Sequence, residues 1–197
     1  MAVDRRAAIG GMMAMLAGPA AAKLAPPDKD IKTSPIRWPA EDGTLLHGFM
    51  AIPERARMKQ PAVLVLVGPA SASGLGTDLA EAVARAGLIG CAPDPAMITG
   101  AAGGSEKAIA DLGATIAWLG HNSYATGAIG LLGTAGSDDL LAKLATRPGV
   151  TASVLLGSAA PLTADGAARI LILPAADSAA WAAAWPRAMA FLRERLK

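Results

Sequence analysis

Two hydrophobic rhythms alternate along this chain. Pro61-Ala62-Val63-Leu64-Val65-Leu66-Val67 is apolar without a break, the pattern of a strand buried on both faces of a parallel sheet. Shorter strands of the same kind are expected at Leu88–Ala92, Gly127–Leu132, Ala152–Leu156 and Arg169–Leu173. Between them the apolar spacing turns helical. It predicts helices from about Thr77 to Ala86, capped by Thr77 or Asp78, over Ser105–Leu119 with Ser105 as cap, and over Asp138–Ala145. A last helix runs from about Ala179 to Arg195, with Pro186 expected to kink or restart it. Ahead of these, strands Ile31–Trp38 and Leu45–Ile52 are joined at Glu41-Asp42-Gly43, where the Asp-Gly pair favours a hairpin turn. Pro93-Asp94-Pro95 ends a strand, and residues 96–104 read as a loop. The order predicts an α/β fold: a mostly parallel central sheet with helices on both faces and an antiparallel N-terminal hairpin.

The rhythm is different before residue 31. Asp4-Arg5-Arg6 precedes an apolar run from Ala7 to Leu16, and small residues Ala20-Ala21-Ala22 follow. A positive start, a short apolar stretch and an A-x-A site describe a signal peptide over residues 1–22. The paired arginines resemble a twin-arginine signal, with Sec export as the alternative. A membrane anchor would need about 20 apolar residues, and Gly10, Gly11 and Pro19 interrupt this run. The expected organisation is a signal peptide, an extended linker over residues 23–30 and one domain over 31–197, in a protein that is periplasmic or secreted.

Charge and composition remove several classes of function. The chain carries 18 basic and 16 acidic residues, for a net charge of +2. With Asp4, Arg5 and Arg6 set aside, the remainder is close to neutral. Nothing here attracts nucleic acid or an anionic membrane. The single cysteine, Cys91, sits in the apolar run Leu88-Ile89-Gly90-Cys91-Ala92 and reads as a buried small hydrophobe. Only His47 and His121 accompany it, so no metal-ligand spacing emerges.

The candidate chemistry lies at Gly133-Thr134-Ala135-Gly136-Ser137, directly after the strand that ends Gly130-Leu131-Leu132. Other phrases accompany it in order. They are the Asp42-Gly43 hairpin, Pro61–Leu66, Arg85-Ala86-Gly87-Leu88-Ile89-Gly90-Cys91-Ala92-Pro93-Asp94, Ala117-Trp118-Leu119, and the closing helix from Ala184-Trp185 to Leu196. Together they resemble the dienelactone hydrolase family of α/β-hydrolases over most of residues 31–197, with the fold truncated at its C-terminal end. The resemblance implies attack on an ester or lactone carbonyl by a Cys-His-Asp triad, without a cofactor.

Against that pattern the nucleophile position is Ala135, whose methyl group cannot attack a carbonyl. Ser137 stands where the second glycine of the turn is expected. Thr134 and Ser137 are alternative nucleophiles one and two residues away; the other reading is that they satisfy the loop or cap the next helix, Ser137 being a good N-cap before Asp138-Asp139. Asp177 occupies the place of the triad acid, or caps the final helix. The family's histidine after the acid is missing, since none follows His121. His121 reads as a helix C-terminal residue favoured by the dipole, and His47 belongs to the hairpin. Pro69 has no N–H, which leaves Ala70 and Gly136 as oxyanion-type donors.

Three functions are therefore weighed. The first is an exported hydrolase-like protein, catalytically inactive and retained for binding, with a small apolar acid or ester as ligand above Ala135. The second is an active ester or lactone hydrolase using Thr134 or Ser137. The third is a nucleotide or flavin binder built on Gly68–Gly76. That loop carries only part of a G-x-G-x-x-G fingerprint, since Leu79 stands at the last glycine.

Overall fold

The apolar run that begins at Pro61 forms β3 (Gln60–Leu66), the middle strand of a seven-stranded sheet among the described residues. A computed structural model describes residues 30–54, 58–68, 74–157, 170–175 and 177–197. The elements in order are β1 (Ile31–Pro39), β2 (Leu45–Pro53), β3, α1 (Leu75–Arg85), β4 (Ile89–Pro93), α2 (Pro95–Ala102) and α3 (Glu106–His121). They continue with β5 (Ala125–Thr134), α4 (Asp138–Ala145), β6 (Val150–Leu156), β7 (Ile170–Leu173) and α5 (Ser178–Arg195). The strands lie in the order β1-β2-β4-β3-β5-β6-β7. β1 and β2 pair antiparallel, β2 joins β4 antiparallel, and every pairing from β4 across to β7 is parallel.

Alternation within the strands divides the core into two layers. Ala62, Leu64 and Leu66 of β3 pack with α2, α3 and α4, while Val63 and Val65 pack with α1 and α5. Both faces of the strand are covered, which is why no polar residue interrupts it. α1 lies so close to β4 that a Cβ at Gly90 would run into the Ala80 carbonyl. Glycine is what that approach requires.

The hairpin is fastened to the body by its outer end. Trp38, 1% exposed, donates from Nε1 to Thr115 Oγ1 at 3.1 Å and stacks on Trp118 with ring centroids 5.1 Å apart. At the turn, Asp42 Oδ1 accepts from Thr44 N, and Oδ2 accepts from Lys107 Nζ at 2.7 Å. That lysine hydrogen bond holds the Asp42 carboxyl below the usual carboxylate range.

Several boundaries differ from the sequence expectation. Residues 96–104 are not all loop: α2 occupies Pro95–Ala102, with Asp94 Oδ1 accepting from Ala96 N at 2.8 Å. Asp94-Pro95 reads as a turn dipeptide, yet an acidic N-cap followed by proline at N1 is equally a helix start. β5 does not end at Leu132. It continues through Gly133 and Thr134, which pair with Leu155 and Leu156 of β6. α5 does not restart at Pro186; one helix spans Ser178–Arg195. The signal peptide and the linker through residue 29 lie outside the described residues.

Candidate functional site

In a doubly covered parallel sheet, a crevice opens beyond the strand carboxyl ends where successive connections leave to opposite faces. β3 has such a crevice on each side. Its own connection leads to α1 on one face, whereas β4 and β5 lead to α2 and α4 on the other.

The β3/β5 crevice contains the turn on which the sequence resemblance places its nucleophile. Ala135 sits there with its methyl exposed, directly after β5. A catalytic elbow holds its nucleophile on a strained backbone. Among the described residues no non-glycine has a positive φ; in this turn that conformation is taken by Gly136, at φ 84. β3 closes over the turn from the side. A Cβ at Gly68 would overlap the Ala135 carbonyl, so only glycine permits the contact. A Cβ at Gly157, after β6, would stand 3.5 Å from Ala135 Cβ and 3.5 Å from the Ala175 carbonyl oxygen. The ends of β5, β6 and β7 thus converge on this methyl.

Both neighbouring hydroxyls are turned inward. Thr134, 4% exposed, accepts from Gly68 N at 3.0 Å through Oγ1. Ser137, 1% exposed, donates from Oγ to the Thr134 carbonyl at 2.7 Å. Of the two structural roles expected for Ser137, satisfying the loop or capping the following helix, its hydroxyl takes the first and not the second. Its residue stands at the N-cap position of α4 but makes no side-chain capping bond. Gly136 N, expected as an oxyanion-type donor, donates instead to Asp138 Oδ2 at 3.0 Å. The second expected donor, Ala70, lies outside the described residues, as does most of the Gly68–Gly76 loop. Asp177 is exposed, and its Oδ1 accepts from Ala180 N at 2.8 Å, the geometry of an N-cap of α5.

The remaining reactive groups are elsewhere. His121 is the last residue of α3, where its Nδ1 lies 2.8 Å from the Ala117 carbonyl. This is the amino-terminal side of β5, opposite the turn at Ala135. Burial pushes the Cys91 thiol up to about 12, so it is no thiolate nucleophile. Among the described residues no group of three or more His, Cys, Asp or Glu is placed to hold a metal, and no helix is long and apolar enough to cross a membrane.

The β3/β4 crevice is open. A cavity of about 490 Å³ lies there, between the hairpin, the carboxyl ends of β3 and β4, and the first turns of α1 and α2. Its volume falls in the range of small-molecule sites. Its lining residues include the apolar Ile36, Phe49, Val67 and Ile98 and the polar Arg37, His47, Thr77, Asp94 and Thr99. None of Thr134, Ala135, Ser137 or Asp177 lines it. The sequence reading missed this site because it treated His47 as part of a structural hairpin. The signal was present: a hairpin closed at Asp42 puts Arg37 and His47 at equal distances from the turn, and the register pairs them.

No family model matches the chain, and no curated protein matches it by sequence. Solved structures match it by shape. A hypothetical protein, PA2218 from Pseudomonas aeruginosa, superposes with a TM-score of 0.53 and 18% identity over 68% of this chain and 45% of that one. The esterase Est22 gives 0.51 and 16% over 81% and 55%. Brefeldin A esterase, a bacterial homologue of human hormone sensitive lipase, gives 0.51 and 14% over 75% and 48%. The chain spans about half the length of these structures. What the likeness shows is architecture: this chain has the α/β-hydrolase fold.

Proposed function

We propose that this chain is a degenerate, dienelactone-hydrolase-like protein of ester or lactone hydrolase ancestry, exported and retained for binding rather than turnover. One observation carries the reading. Ala135 stands in the turn after β5 where the resemblance puts a nucleophile, and each hydroxyl beside it is bonded to the backbone, Thr134 to Gly68 N and Ser137 to the Thr134 carbonyl. Loss of the attacking group alone costs several orders of magnitude in rate. The rest of the machinery supports the same reading. Gly136 N is engaged by Asp138, Asp177 caps a helix, and neither histidine of the chain follows the acid.

The test is hydrolysis of p-nitrophenyl acetate and of a small lactone by the purified full chain. Background-level turnover is expected. Turnover above background that disappears in Thr134→Ala or Ser137→Ala, with the variant still folded by circular dichroism, overturns the reading in favour of a non-standard nucleophile. Export rests on Arg5-Arg6, the apolar run and Ala20-Ala21-Ala22. A periplasmic product starting at Lys23 is the expected outcome of N-terminal sequencing.

A further inference from the structure

We infer that the ligand site of this protein is the β3/β4 crevice, and that it takes a small carboxylic acid with an apolar body, its carboxylate held by Arg37 and His47. The inference rests on the binding reading above and moves the site away from Ala135. Arg37 and His47 are cross-strand partners in β1 and β2, so their side chains rise from one face of the hairpin, and both line the cavity. Neither side chain makes a hydrogen bond or ion pair with any described residue. An exposed arginine that lines the cavity and bonds no described residue offers a fork of donors that matches a carboxylate in shape and charge. The half-buried Phe49 and Val67 supply apolar surface for the rest of the ligand.

The one acid lining the cavity does not cancel this preference. The Asp94 carboxylate accepts from Ala96 N at the start of α2, where the helix dipole offsets part of its charge. An ester presents no negative charge to Arg37, so the crevice selects the acid product of an ester hydrolysis over its ester. Gly68 lines this cavity and also abuts Ala135, so the two crevices are neighbours.

The experiment is calorimetric titration of the full chain with hexanoate and benzoate, against hexanamide and benzamide as neutral matches. The acids are expected to bind at least about tenfold tighter than the amides, as a charge-assisted hydrogen bond implies. Arg37→Gln should remove that difference, and Arg37→Lys should restore part of it. Ala135→Leu, which fills the space above the vacant nucleophile position, should leave affinity unchanged. The inference is overturned if none of the four compounds binds, if amides bind as well as acids, if Arg37→Gln has no effect, or if Ala135→Leu abolishes binding. Ester turnover is read separately: activity with intact acid binding removes the inactivity proposal and leaves this one standing.

Discussion

The two crevices flanking β3 have the same topological origin and opposite contents. On the β5 side, Gly68 abuts the Ala135 carbonyl, and the hydroxyls of Thr134 and Ser137 and the Gly136 N–H are all engaged within the protein. On the β4 side, a cavity of about 490 Å³ carries a cation and an imidazole with no partner among the described residues. The position of a crevice in a sheet therefore does not decide its use. What decides it is whether the polar groups around it are satisfied from within.

That contrast can be broken first at the hairpin, where the open crevice gets its outer wall. Trp38→Ala removes a fully buried indole that both stacks on Trp118 and bonds Thr115. The expected loss is about 3–5 kcal/mol, measured by urea unfolding, with carboxylate binding lost alongside. Thr134→Val probes the closed crevice. It keeps the shape and leaves Gly68 N without its acceptor, for an expected cost of about 1–3 kcal/mol and no change in carboxylate affinity. A gain in stability would mean that the hydroxyl is not a structural acceptor. Arg37→Gln should give the smallest stability effect, within about 0.5 kcal/mol, because the side chain is exposed and bonds nothing described. Together the three separate a wall, a seal and a ligand contact.

Much of the fold was legible because burial on both faces writes itself plainly. β3, α3 and the Asp42-Gly43 hairpin need no long-range information, since continuous apolar runs, a Ser105 cap and an Asp-Gly turn are local signals. α2 was not legible, because Asp94-Pro95 serves a turn and a helix start equally well. The candidate site was half legible. Ala135 can be located by counting from the strand, but the fate of the Thr134 hydroxyl depends on where Gly68 arrives from a different strand. The cavity was hidden for the same reason: its walls come from elements separated by tens of residues, and no single segment advertises them.

The relaxed backbone at residue 135 bears on reversibility. Restoring an oxygen there takes one substitution, Ala135→Ser, but the new side chain would inherit an unstrained bend with its left-handed conformation one residue late, at Gly136. It would also face an N–H already claimed by Asp138. Changing the residue would not rebuild the apparatus around it. Evolution could step back onto that position without regaining the reaction, which makes the neighbouring crevice the more accessible route to any new chemistry.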